Sequence, residues 1–163
     1  MGLNAAVYCD DVERGNLRIP HPLPHLLFID EIGCPSISSD NPQDALLHDQ
    51  WEAQRPCQHE NFFLVEHWLG NAWLISRIHE IVERISSNPS VEFPILCTKV
   101  IYSGVHSGDH LNVEEVLQLD GEINRLRKVE SVTGEERAHF DDFLTKLEEL
   151  VRASLSVKKP ISF

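Results

Sequence analysis

Histidine, cysteine and carboxylate side chains at two places in the sequence could bind a metal ion or transfer protons. The chain has nine histidines, and imidazole is both a proton carrier near neutral pH and a frequent metal ligand. The first place combines Cys57-x-His59 with Glu60 and, further along, His67. A structural zinc site normally uses a second ligand pair at a defined spacing, and no C-x2–4-C motif accompanies this one. The alternative interpretation is a polar loop with a partly buried thiol.

The second place is a glycine- and serine-containing loop, 104–110, with His106, Asp109 and His110 as candidate catalytic residues. Two histidines that flank an aspartate could coordinate a metal or form an acid/base pair. The competing interpretation is that the glycines form turns and that Asp109 organises the next helix. A small metal-assisted hydrolase with zinc as cofactor would combine both places. Its candidate metal ligands are Cys57, His59, His67, His106 and His110.

The elements that position these residues follow from the spacing of apolar side chains. Runs rich in β-branched and aromatic residues predict strands at 3–9, 25–30, 62–68 and 94–102, with a shorter strand around Ile37. Amphipathic patterns and capping residues predict helices at 42–52, 72–86 and 112–128, and a last helix that starts at the cap Thr133.

The order of these elements predicts an α+β fold, because strands come first and helices dominate the second half. We expect a small mixed sheet of about four strands packed by three to four helices, with a long amphipathic C-terminal helix. No repeat or linker interrupts the chain, so residues 1–163 are expected to form a single domain.

The net charge argues against several kinds of partner. The chain has 26 acidic residues against 14 basic ones and a net charge of −12. Such a surface disfavours sequence-independent nucleic-acid binding and attachment to an anionic membrane. Residues 1–81 carry twelve acids against four arginines, and the first lysine is Lys99. This bias favours a face that meets a basic partner, although an acidic surface also serves solubility.

The remaining signals indicate a cytoplasmic protein without a known catalytic motif. The N-terminus lacks the basic and apolar segments of a secretory signal, and no apolar run approaches the roughly 20 residues that span a bilayer. The cysteines form no C-x-x-C pair, which is typical of reduced thiols in the cytoplasm. P-loop, dinucleotide-binding, G-x-S-x-G and H-E-x-x-H motifs are absent.

Three segments, MGLNAAVYCDD, FPILCTKVIYSGVHSGDHL and KKPISF, resemble a set of small bacterial proteins described only as hypothetical. In size, acidity and lack of catalytic motifs, the chain is also similar in type to immunity proteins of bacterial polymorphic-toxin and secretion-system effector pairs. That similarity implies a non-enzymatic binding protein, without cofactor, that neutralises a cognate basic toxin by covering its active site. Negative charge would accelerate the encounter.

The residues expected to contact such a toxin lie in the half of the chain that lacks lysine. They are acids with one tryptophan among them, since exposed aromatic side chains anchor many protein interfaces. The candidates are Asp10, Asp11, Glu13, Asp30, Glu31, Asp44, Asp49, Trp51, Glu52, Glu60 and Glu66.

Overall fold

A four-stranded antiparallel sheet carries the helices in the computed structural model, which describes residues 2–104 and 106–163. The strands are β1 Gly2–Tyr8, β2 Leu27–Ile29, β3 Pro35–Ile37, β4 Phe63–Asn71, β5 His110–Leu111 and β6 Ile161–Ser162. The helices are α1 Asp11–Arg14, α2 Pro42–Ala53, α3 Ala72–Ile85, α4 Pro89–Glu92, α5 Val113–Leu126 and α6 Gly134–Val157. Short turns of 3-10 and π helix occupy Glu60–Phe62 and Leu96–Val100.

The sheet has the strand order β4-β1-β6-β5, and β2 and β3 form a separate two-stranded sheet. Strand β1 pairs with β4 over its whole length, from Gly2 opposite Asn71 to Tyr8 opposite Phe63. The C-terminal strand β6 pairs with β1 on its other side. The predicted α+β class, the four-stranded sheet and the long C-terminal helix are therefore confirmed.

Side-chain caps fix the starts of three helices where the sequence indicates them. Asn41 accepts a hydrogen bond from the backbone of Gln43, and Pro42 occupies the first helical position of α2. Asn71 caps α3 in the same way. Asn112 and Glu115 form a reciprocal capping box at the start of α5. No helix in the described part of the chain is long and apolar enough to cross a membrane.

The predicted strand at 94–102 is wrong, because this segment is helical. Its apolar residues are buried at helical spacing, with Leu96 and Val100 on one side. The buried carboxylate of Glu122 in α5 accepts hydrogen bonds from the backbone N–H groups of Ile95 and Leu96, at 2.9 and 2.8 Å. These tertiary contacts satisfy the helical N-terminus and override the local β propensity of the segment.

Two separate hydrophobic clusters are present among the described residues. The large core lies between the four-stranded sheet and α3, α5 and α6, and the fully buried Phe140, Phe143 and Leu147 of α6 belong to it. The small core lies in the β1–β4 connection, residues 9–62. Its buried members are Cys9, Trp51, Cys57 and Phe62.

Candidate metal centre

The ends of two paired strands bring distant residues of the chain together. Tyr8 and Phe63 are opposite each other at the end of β1 and the start of β4. The next backbone N–H group, that of Cys9, donates to the carbonyl of Phe62 at 2.7 Å and extends the strand pairing. The segment that follows β1 therefore lies beside the segment that precedes β4.

Four side chains of these two segments converge on one point. Their donor atoms all lie within 4.8 Å of one another, and three of the residues are buried. We call this group the Cys/Asp/His cluster; it consists of Cys9, Asp11, Cys57 and His59. Each segment contributes a cysteine and, two residues later, a second donor.

The distances within the cluster fit a single small cation. The two sulfur atoms are 3.4 Å apart, and Nδ1 of His59 lies 3.4 Å from Sγ of Cys57. Oδ2 of Asp11 lies 2.8 Å from that sulfur and 3.0 Å from that nitrogen. A tetrahedral zinc ion with bonds of about 2.0–2.3 Å has ligand atoms about 3.3–3.8 Å apart. Small shifts would therefore open the cluster to hold the ion.

The same geometry does not form a catalytic thiol relay. A Cys–His–Asp relay uses one imidazole nitrogen for the thiol and the other for the carboxylate. In this cluster the single atom Nδ1 of His59 faces both Cys57 and Asp11. The donors converge on a centre instead of forming a chain, which is the arrangement of a ligand set.

The thiols are protonated and the carboxylate is ionised when no metal is bound. Burial, followed by the hydrogen bond to Asp11, raises the pKa of Cys57 to about 12. Burial likewise raises the pKa of Cys9. Burial opposes ionisation of Asp11, but hydrogen bonds from Cys57 and His59 outweigh it and lower the pKa of Asp11. Metal binding would displace the thiol protons, so metal affinity should increase with pH.

A buried lysine from the C-terminus adds positive charge beside the cluster. The ammonium group of Lys159 donates to the carbonyl oxygens of Cys9 and Gly33, at 2.6 and 3.2 Å, and pairs with Glu13. A divalent ion with two thiolates and one carboxylate has a net charge of −1. The ammonium group is already paired with Glu13, so it does not cancel this charge, but its position favours the ionised form of the Cys9 thiol.

Strained backbone conformations accumulate around the cluster. Among the described residues, four that are not glycine have positive φ: Arg55, Asn61, Phe62 and Lys158. Three of them border Cys57 and His59 in the sequence, and the fourth precedes Lys159. Such conformations cost about 1–3 kcal/mol each and persist where the surroundings impose them, often at functional sites.

The structure brings together only part of the predicted metal-ligand set. Cys57 and His59 belong to the cluster, whereas His67 pairs with Glu149 at 2.7 Å. His106 and His110 are not members either, and residues 2–104 and 106–163 contain no second such group. The ligands predicted from the sequence do not include Cys9, and Asp11 is predicted there to lie on a partner surface. The available signal was the shared spacing of Cys9-x-Asp11 and Cys57-x-His59.

The predicted histidine loop is packed on the C-terminus. The ring of His106 stacks on Tyr102 and contacts Phe163, and its Nε2 lies 3.1 Å from the carbonyl of Val100. Asp109 accepts a hydrogen bond from Tyr102 and lies 3.3 Å from His106. His110 belongs to β5 and pairs with Ser162. Val105, also in the predicted loop, lies outside the described residues.

The predicted partner-binding residues differ in exposure. Asp11 and Trp51 are buried, so neither is on the surface. Asp10, Asp30, Asp44 and Glu52 are partly exposed, whereas the exposed members are Glu13, Glu31, Asp49, Glu60 and Glu66.

Comparison with known proteins yields no family model, no curated protein and no solved structure that matches the chain.

Proposed function

We propose that the protein binds one zinc-class metal ion at the Cys/Asp/His cluster. The observation that carries this proposal is the convergence of four donor atoms from two separate chain segments within 4.8 Å. Two thiolates with an imidazole favour zinc over magnesium or calcium, which prefer oxygen ligands. The ion would join the end of β1 to the start of β4.

The proposed ion has a structural consequence for the β1–β4 connection. This segment packs around only four buried apolar side chains, and small cores commonly require a metal or a disulfide for stability. The four cysteines are free thiols, and the sulfur atoms of Cys9 and Cys57 are 3.4 Å apart, against about 2 Å in a disulfide. A bound metal would supply the missing cross-link.

Metal content and affinity of matched cysteine variants test this proposal. The purified protein should contain one zinc ion per chain, and Cys9→Ser and Cys57→Ser should each weaken binding by at least about 100-fold in competition with a chromogenic chelator. The control is Cys34→Ser, which makes the same change beside the cluster without removing a donor. Equal zinc affinity in all of these variants would contradict the proposal.

A second candidate function is the immunity-type role, which we propose on a different observation. Glu66 and Trp68 are exposed on β4, at the edge of the sheet, and the side chain of Trp68 is 53% exposed. An exposed tryptophan beside an acid suits an interface with a basic partner. The partner would be a basic toxin, bound in the cytoplasm.

Complex formation with the product of the neighbouring gene tests the second candidate. Wild-type protein should capture that product and rescue the growth of cells that express it. Trp68→Ala should weaken the complex about tenfold or more, whereas Leu117→Ala, an exposed apolar control on α5, should not. Absence of both capture and rescue would contradict this role.

A further inference from the structure

A cleft of about 170 Å³ opens beside the Cys/Asp/His cluster. Cys57 and His59 line this cleft, whereas Cys9 and Asp11 do not. A metal ion held by all four donors would therefore be covered on the side of Cys9 and Asp11. A small molecule in the cleft could reach it between Cys57 and His59. Most structural zinc sites are closed by four protein ligands, so a ligand that enters from the cleft would be the fifth, and zinc can expand to five-coordinate.

The walls of the cleft combine an apolar surface with few polar groups. The rings of Tyr8 and Phe63 contact each other with centroids 4.9 Å apart. The charged groups are Glu52 and Arg55, and Arg55 is already paired with Glu60 at 3.0 Å. Glu52 is the carboxylate that lines the cleft, and the ion pair of Arg55 is with Glu60. Apolar walls with a few placed polar groups are typical of small-molecule sites.

A chain of two histidines leads to Glu52. The backbone N–H of Leu23 donates to Nδ1 of His21, so the proton of this imidazole is on Nε2. That N–H faces Nδ1 of His48 at 3.0 Å. His48 must then carry its own proton on Nε2, which lies 3.5 Å from Glu52. The chain begins at a buried histidine and ends at the carboxylate in the cleft.

We infer that the cleft binds a small amide-type ligand, which gives its carbonyl oxygen to the metal across the Cys57–His59 edge and its N–H group to Glu52. This inference rests on the proposed metal binding. The ligand is small because drug-sized ligands occupy about 300–1,000 Å³. Its N–H end is neutral because Glu52 would repel an anion there. A metal and a nearby carboxylate are also the pair that metal-assisted hydrolysis uses.

Cobalt-substituted protein and acetamide provide the test. Cobalt(II) reports its coordination by visible absorption. The probe carries a carbonyl oxygen and N–H groups, has no charge and loses no proton on binding. The probe should change the cobalt spectrum with saturation while the metal stays bound. Glu52→Gln should weaken the probe about tenfold, since it loses a charged hydrogen-bond acceptor. Asp49→Asn, the control at an exposed acid of α2 outside the cleft lining, should leave its affinity unchanged.

The outcomes separate this inference from the metal proposal. A saturable spectral change that Glu52→Gln weakens supports the ligand site. A two-thiolate cobalt spectrum that the probe does not alter overturns the ligand site and leaves the metal proposal standing. Extraction of the cobalt by the probe, or equal probe affinity in Glu52→Gln and wild type, also overturns the ligand site. Failure of cobalt to bind the wild-type chain contradicts the metal proposal itself.

Discussion

The large core and the small core are held together by different kinds of contact. The large core has twenty-eight buried members among the described residues and draws them mainly from the four-stranded sheet, α3, α5, α6 and the segment 93–101. The small core has four, and two of them are cysteines of the Cys/Asp/His cluster. The largest side chain of the small core, Trp51, contacts the rings of His21, His48 and Phe62.

This difference indicates that the two regions depend on different interactions. Burial of many large apolar side chains is sufficient to stabilise the large core. In the β1–β4 connection, histidines, thiols and a carboxylate instead occupy interior positions that apolar side chains occupy in the large core. Polar groups in such positions are costly unless they are fully paired or bind a metal.

Removal of the metal should have the largest effect, and the effect should be confined to one region. Chelation should increase amide hydrogen exchange through residues 9–62 and leave α5 and α6 protected, since zinc contributes on the order of 10 kcal/mol in small zinc-dependent folds. Hydrogen exchange with mass spectrometry measures both regions in one sample. Loss of protection in α5 and α6 to the same extent would show that the two regions are not separate.

A cavity in the large core should affect the whole chain. Leu147→Ala should lower the free energy of unfolding by about 2–5 kcal/mol, because this side chain is fully buried in α6. Urea titration followed by circular dichroism measures the change. The matched control is Leu117→Ala on the exposed side of α5, which should change stability by less than about 0.5 kcal/mol. Similar losses in both variants would contradict the assignment of the large core.

The buried carboxylate of α5 should have an intermediate effect. Glu122→Gln replaces one of the two acceptor oxygens that Ile95 and Leu96 use. One backbone N–H would then be unpaired, at a cost of about 1–3 kcal/mol. Urea titration should detect this loss, and Glu114→Gln on the exposed side of the same helix should be nearly neutral. If Glu122→Gln does not change the free energy of unfolding, the carboxylate of Glu122 is not the reason why residues 94–102 are helical.

The smallest effect should be a pH dependence confined to the small core. Burial lowers the pKa of His21; the backbone of Leu23 opposes this effect in part, and repulsion from His48 adds a smaller decrease. The unfolded chain therefore binds more protons as the pH falls below about 6.5, and folding stability decreases there. Relative to the intrinsic exchange rate at each pH, amide protection in residues 9–62 should decrease on acidification less in His21→Gln than in wild type. If wild type and His21→Gln respond to acid in the same way, His21 is not the source of the pH dependence.

Much of the fold could be predicted from the sequence because its signals are local. The cap at Asn41 with Pro42, the capping box at Asn112 and the apolar stripe of α6 act within a few residues of one another. The segment 94–102 could not be predicted in this way, because its helical form depends on Glu122, which is distant in sequence.

Only one of the two residue pairs of the candidate site could be predicted from the sequence, for the same reason. Cys57-x-His59 is a local pattern, but its partner pair Cys9-x-Asp11 lies 48 residues away. Only the pairing of β1 with β4 brings the two pairs together. Asp11 follows Asp10, and such a pair is typical of surface charge in a chain with a net charge of −12. The sequence therefore predicts a partner surface for Asp11 and not a buried position.

X-ray absorption at the zinc edge tests the central claim most directly. If zinc binds at the Cys/Asp/His cluster, the loaded wild-type protein should show two sulfur ligands at about 2.3 Å and two nitrogen or oxygen ligands at about 2.0 Å. Cys57→Ser should reduce the sulfur contribution to one, whereas Cys34→Ser should leave it at two. A zinc environment of nitrogen and oxygen ligands only, with no sulfur, would contradict the account.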